Sequence, residues 1–167
     1  MTTNQSSLDL IGSGLGADSS QFLTFILGDE YYGIDILKVR EIRGWERVRE
    51  MHDTPAFVKG VLNIRGTMVS VIDLRIRFRL DTAEYSPTTV VIVLNVNHGE
   101  TESDMGVVVD SVSDVLTVAS ADVKAAPELG SKINTEYIQG IVNHEDRMIM
   151  LLESDKLLDP EEFELIV

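Results

Sequence analysis

Cysteine is missing from all 167 residues of the chain. Disulfides, thiolate metal sites and cysteine nucleophiles are therefore excluded. Basic residues are scarce: 14 Lys and Arg stand against 28 Asp and Glu, for a net charge of −14. So acidic a chain repels phosphate backbones, which disfavours nucleic acid as a partner. No apolar run reaches the ~20 residues of a membrane-spanning helix. The start has neither the basic region nor the apolar stretch of a secretory signal. A soluble, intracellular protein without direct membrane insertion is expected.

The signatures of catalysis are thin as well. His52, His98 and His144 all fall in predicted loops without metal-ligand spacing. His144-Glu145-Asp146 is contiguous, and three consecutive residues rarely converge on one ion, so it reads as a hairpin turn. Gly12-Ser13-Gly14-Leu15-Gly16 follows no strand and lacks the lysine of a phosphate loop. No Gly-x-Ser-x-Gly elbow occurs. Asp35, Asp73 and Asp110 lie in or at the ends of predicted strands. They are the only carboxylates placed for acid–base work, and none has an identifiable partner. The sequence thus offers no catalytic, metal or cofactor site.

What the chain does have is a repeat. Phe57-Val58-Lys59-Gly60-Val61-Leu62-Asn63 returns as Tyr137-Ile138-Gln139-Gly140-Ile141-Val142-Asn143, and Met68–Ile72 returns as Met148–Leu152. Tyr32–Ile36 resembles Met105–Val109. One folding unit used twice is implied. Halves of about eighty residues would each have a thin core and would share apolar surface. The copies diverge at one turn, where Asn63-Ile64-Arg65-Gly66 becomes Asn143-His144-Glu145-Asp146. Charge diverges too: residues 21–80 hold ten Lys and Arg against eight Asp and Glu, whereas residues 81–167 hold four against eighteen.

Along the chain the signals are mostly short strands. Residues 1–20 read as a flexible tail, with order beginning at Gln21. Strands are predicted at Phe22–Leu27, at Tyr31–Ile36 with a continuation through Val39 and Ile42 left open, at Val61–Ile64 and at Met68–Leu74. Thr54-Pro55 signals a short helix through Gly60, because Thr can cap it and Pro suits its first turn. Ser86-Pro87 breaks the chain between the copies. Thr89–Val96 is β-branched almost throughout and reads as a strand buried on both faces. Asn97–Asp104 reads as a polar, charged hairpin loop. Strands follow at Met105–Asp110 and Val112–Val118. A long connection, Ala119–Thr135, then leads to a hairpin of Ile138–Asn143 and Arg147–Leu152. Asp159, Pro160, Glu161 and Glu162 signal a C-terminal helix. The expected divisions are 1–20, a first barrel at 21–86, a second at 87–152, and a C-terminal helical segment at 153–167 packing back on the barrels. Many short strands in duplicate favour two small barrels.

Two segments are candidates for contact. Arg65 sits at a tight turn where Gly66 can take positive φ, and its counterpart Glu145 shows that the fold does not require arginine there. A guanidinium can bond two oxygens at once. In Leu37-Lys38-Val39-Arg40-Glu41-Ile42-Arg43-Gly44 an apolar point lies inside a charged ribbon. That pattern fits core alternation or the rim of a groove that accepts a helix.

These segments resemble the bacterial chemotaxis coupling protein family CheW. The resemblance lies in Gly28–Ile36, Val39–Gly44, Thr54–Gly66, Val71–Arg75, Val90–Asn95 and Val107–Leu116, and it runs from about Gln21 to Leu158. It implies an all-β fold of two intertwined five-stranded SH3-like barrels, with short helices, and no enzymatic activity or cofactor. It implies a scaffold that couples the helical-hairpin cytoplasmic tips of chemoreceptors to the regulatory domain of the histidine kinase CheA. The corresponding receptor groove would comprise Leu23, Ile36, Val39, Glu41, Val112 and Val115. Arg65 and Gly66 would belong to kinase control or turn integrity. Without a further domain in the chain, a stand-alone coupler is expected. A module that binds only the kinase, or a carboxylate enzyme, is the alternative.

Overall fold

The structure is a computed structural model that describes residues 18–80, 84–126 and 135–159. Ten strands form two five-stranded sheets. In chain order they are β1 (Ser19–Leu27), β2 (Glu30–Asp35), β3 (Val39–Gly44), β4 (Val58–Ile64) and β5 (Thr67–Asp73), then β6 (Val90–His98), β7 (Thr101–Val109), β8 (Ser111–Ala119), β9 (Ile138–His144) and β10 (Arg147–Leu152). Helices α1 (Leu74–Arg77) and α2 (Ser154–Leu157) are single turns. Sheet 1 has the order β8-β1-β2-β10-β9 and sheet 2 the order β3-β6-β7-β5-β4. The two orders are equivalent if each strand is replaced by its repeat partner, so the duplication is real at the level of topology.

Each sheet takes two strands from one copy and three from the other, so the sheets do not follow the division at residue 86. Connection length forces this exchange. Strand β1 pairs antiparallel with both β2 and β8, which makes β8 parallel to β2. If the chain after β2 stayed in its own sheet, it would have to return along the whole strand, roughly 20 Å for six residues. Parallel neighbours need long crossovers. Only the 3-10 turn Ile36–Lys38 follows β2, and only Asp110 separates β7 from β8. Three residues reach about 10 Å at most, so the chain crosses into the other sheet. The barrels are intertwined because their connectors are short.

Strand alternation divides the core three ways. Val69, Val71, Val91 and Val93 fill the interior of sheet 2 with Leu62, Ile64 and Val108. Phe22, Val142, Ile149 and Leu151 do the same in sheet 1. The intervening residues, among them Ile72, Ile92, Leu94, Met150 and Leu152, join Phe25, Tyr32 and Ile34 in one core shared by both sheets. The expectation that residues 89–96 are buried on both faces holds for that reason.

The edges of each sheet are drawn together by one antiparallel bridge: Arg49 with Val61 beyond β3, and Lys124 with Ile141 beyond β8. These crossings explain the repeated glycines. A Cβ on Gly60 (φ +146) would lie 1.9 Å from the Arg49 carbonyl oxygen, and one on Gly140 would lie 3.0 Å from the Lys124 carbonyl oxygen and 2.4 Å from the Val123 side chain. No side chain fits where a second backbone passes so close.

Several expectations need correction. Thr54-Pro55 starts no helix. The Val58 N–H closes one turn on the Pro55 carbonyl, and the Phe57 carbonyl then accepts from Asp73, which draws the backbone into the sheet. Asn97–Asp104 does form a hairpin, but not an eight-residue loop: β6 and β7 stay paired from Asn95 with Asp104 to His98 with Thr101. Gly99, at φ +63, begins its two-residue turn. The strand predicted at Tyr31–Ile36 does not continue unbroken to Ile42: the turn at Ile36–Lys38, which the Asp35 carboxylate caps at the Leu37 N–H, separates β2 from β3. Order extends before Gln21, since Ser19 already pairs with Ala119. The helix signalled at Asp159–Glu162 and most of the 1–20 tail lie outside the described residues. No helix among the described residues is long and apolar enough to cross a membrane.

Candidate functional site

Strands β3 and β8 are edge strands, one in each sheet. Four of the six predicted groove residues lie on them: Val39 and Glu41 on β3, Val112 and Val115 on β8. Ile36, Val39 and Val112 are partly buried against the shared core, whose members include Leu23. Leu23 is buried and lies opposite Val115 in register, whereas Val115 is 48% exposed. Leu23 therefore belongs to the floor and Val115 to the surface. Ile36, Val39 and Val112 thus rest on one core from both copies of the repeat, with Val115 exposed on β8; these four are called the lip below.

Beside the lip lies a charged turn. Arg65 occupies the β4–β5 turn at φ 52, followed by Gly66 at φ 88, whose N–H donates to Asn63 Oδ1 at 2.9 Å. Glycine was expected to take positive φ here, but Arg65 takes it as well. From that position its guanidinium donates to Glu41 Oε1 at 2.9 Å. The other Glu41 oxygen accepts from Arg43 at 3.2 Å. Arg65 thereby links the β4–β5 turn to the lip strand β3, at opposite edges of sheet 2. Its side chain is 81% exposed, so the pair contributes at most about 1 kcal/mol to stability.

The three candidate carboxylates all have structural partners. Asp35 caps the 3-10 turn. Asp73 accepts from Arg75 through Nε at 3.0 Å and Nη2 at 2.9 Å, and from the Tyr85 hydroxyl at 3.0 Å. Asp110 accepts from Arg75 Nη1 at 2.9 Å and from the Gly28 N–H at 2.7 Å. The Arg75 and Asp73 side chains are wholly buried. Burial opposes the guanidinium charge, but the bonds to Asp73 and Asp110 outweigh it and raise the pKa of Arg75. Tyr85 stacks on Trp45 and covers the cluster. Burial first, then the charge of Asp73 and the hydrogen bond to it, push Tyr85 up to about 12. This cluster was missed in the sequence; the Asp73-x-Arg75 spacing was its only local sign. Among the histidines, His52 is exposed, His144 lies 3.9 Å from Glu145, and His98 Nε2 meets the Leu158 carbonyl at 2.8 Å. Among the described residues no group of three His, Asp or Glu could hold a metal ion.

Two intertwined five-stranded SH3-like barrels, with a charged turn bonded to the β3 edge, define the fold class of the chain. A profile of the CheW-like domain matches residues 21–162. The chain is 46% identical over 146 residues to chemotaxis protein CheW of Klebsiella aerogenes, covering 87% of this chain and 86% of that one. It is 35% identical over 144 residues to chemotaxis protein CheW of Rhizobium meliloti, covering 86% and 90%. The crystal structure of the scaffolding protein TtCheW from Thermoanaerobacter tengcongensis superposes with a TM-score of 0.76 at 27% identity, over 84% of this chain and 88% of that one. The chain belongs to the CheW-like family.

Proposed function

We propose that this protein is a non-catalytic chemotaxis adaptor that couples chemoreceptors to the histidine kinase CheA. It works in the cytoplasm and is recruited to the inner face of the membrane through receptor arrays. The lip of Ile36, Val39, Val112 and Val115 carries this reading. Val39, Val112 and Val115 lie on edge strands of the two sheets, Ile36, Val39 and Val112 pack on a common core, and apolar residues so placed suit the apolar face of a receptor-tip helix. Glu41 sits beside it. Arg65, bonded to Glu41, ties the lip strand to a turn that we assign to kinase control, with Gly66 completing that turn.

The test is binding of a receptor-tip fragment and of the kinase regulatory domain, separately and together. Both should bind. Val39→Lys should weaken receptor binding by roughly ten- to a thousandfold, the effect of losing a buried anchor worth about 1–4 kcal/mol, and spare the kinase domain. A folded protein that binds neither partner overturns the proposal. Binding of the kinase domain alone, indifferent to Val39→Lys, identifies a kinase-only module instead.

A further inference from the structure

Three acidic residues of the second half, Glu102, Asp104 and Asp155, gather on the residues that flank Val39. Lys38 and Arg40 flank Val39. Lys38 Nζ donates to both carboxylate oxygens of Asp155, at 3.0 and 3.2 Å. Asp155 Oδ1 also accepts from the backbone N–H of Asn97 at 3.0 Å. With its amide turned to satisfy both neighbours, Asn97 accepts from Lys38 at 2.9 Å and donates to Glu102 at 3.2 Å. On the other side of Val39, Arg40 lies 3.5 Å from Asp104 and 4.0 Å from Glu102.

The Lys38–Asp155 pair is the dominant one. Its side chains are 24% and 29% exposed, against 54% and 32% for Arg40 and Asp104, so it is the less screened by solvent. Asp155 is also firmly mounted. It lies on α2, next to the fully buried Leu157 and Leu158. A carbonyl can only accept, so His98 Nε2 donates to Leu158 and fastens α2 to the tip of the β6–β7 hairpin. The 3-10 turn that holds Ile36 and Lys38, by contrast, has no buried residue of its own. A fixed anion therefore grips a cation on a turn that buries none of its own residues.

We propose that Asp155 is a positioning residue for the lip. By holding Lys38 it fixes the Ile36–Lys38 turn and the start of β3, and so presets Ile36 and Val39 for an incoming receptor helix. Asp104, through Arg40, plays the lesser part. The inference rests on the adaptor reading for its functional consequence, but the positioning itself can be measured without any partner.

The experiment uses the full chain with Asp155→Asn and, from the other side of the contact, Lys38→Met. Asparagine still accepts from Asn97 but no longer carries the charge that holds Lys38. In the free protein, amide hydrogen exchange at residues 36–39 should accelerate about tenfold in both variants, as expected for loss of a partly screened charge-assisted bond. Affinity for a receptor-tip fragment should fall about tenfold, while affinity for the kinase regulatory domain stays within about twofold. The reversed pair, Lys38→Glu with Asp155→Lys, should recover most of both effects. A general loss of structure would instead weaken both partners and resist rescue. Unchanged exchange at residues 36–39 in both single variants overturns the inference. Altered exchange with unchanged receptor affinity overturns the link to the lip. If Val39→Lys also leaves receptor binding intact, the groove reading falls while the exchange result still decides whether Asp155 positions the turn.

Discussion

Arg75 is a buried cation whose charge is satisfied from several sides, by a strand of sheet 2 and by Asp110 at the crossing between the sheets. Asp73 ends β5 in sheet 2, whereas Asp110 reaches back to Gly28 in the β1–β2 turn of sheet 1. Replacing arginine by methionine would leave two carboxylates without their cation, one of them fully buried. Arg75→Met should cost about 3–5 kcal/mol, the usual penalty for breaking a buried pair from one side, read from the urea unfolding midpoint. Lysine should not rescue it, because a compact ammonium cannot copy a fork that serves Asp73, Asp110 and the Glu84 carbonyl together. A loss near zero would show that the two carboxylates find water or other donors.

Tyr85 gives this cluster a pH signature. Its ionisation is pushed up to about 12 from an ordinary 10.0. The folded state therefore holds its proton where the unfolded state releases it. Stability from this group is fully present below about pH 10 and is lost as pH rises toward 12. Tyr85→Phe should lower stability at neutral pH, through the lost bond to Asp73, and should flatten the decline between pH 9 and 12. Tyr32, buried and beside Glu30, shifts in the same direction and keeps part of the slope in both proteins. Unfolding free energies measured across that range decide the matter; parallel slopes in the two proteins would remove Tyr85 from the account.

At the scale of the element, the two repeat hairpins ask different things of one turn. Both turns put two successive residues at positive φ: Arg65 and Gly66 in one, Glu145 and Asp146 in the other. This is the geometry for which Asn-Gly is the favoured pair. A non-glycine residue in that region costs on the order of 1 kcal/mol or more, asparagine less. Glu145→Asn with Asp146→Gly should raise stability by about 1 kcal/mol. Arg65→Asn should also raise it or leave it unchanged, because the exposed pair with Glu41 contributes little. If Arg65 is there for kinase control, Arg65→Asn must nevertheless impair kinase activation in a reconstituted receptor–kinase mixture. A variant that is destabilised yet couples normally would make Arg65 a structural residue.

These elements show what sequence could and could not convey. The hairpins, their turns and the repeated glycine were legible because they rest on neighbours in the chain. The full length of the β6–β7 pairing was not, because Asn97, Glu102 and Asp104 look like loop residues until their pairing gives each a solvent-facing or ion-paired place. The lip residues were reached by family resemblance. The contacts that support them, Lys38 with Asp155 across 117 positions and Arg65 with Glu41 across 24, have no local signature at all.

For the whole molecule the decisive fact is the exchange of strands, which the repeat suggests but does not dictate. It follows only when pairing direction is set against connector length, and pairing direction is invisible in sequence. The same geometry yields a strong expectation. Divided after residue 86, the first half keeps β1 to β5, but β1 and β2 lose β8, β9 and β10, their partners in sheet 1. It cannot fold β3 back beside β1, since three residues cannot retrace a strand of six. The second half is more constrained still, with one residue between β7 and β8. Neither half should therefore unfold cooperatively as a monomer. Mixed at equal concentration, they should regain the cooperative transition and the fixed environment of Trp45, because each supplies the strands the other lacks. A half that does fold alone should do so only as a dimer, exchanging strands with a second copy of itself. Sedimentation together with urea unfolding separates these outcomes. A folded monomeric half would mean that the connectors can rearrange, and that short linkers are not what intertwines the barrels.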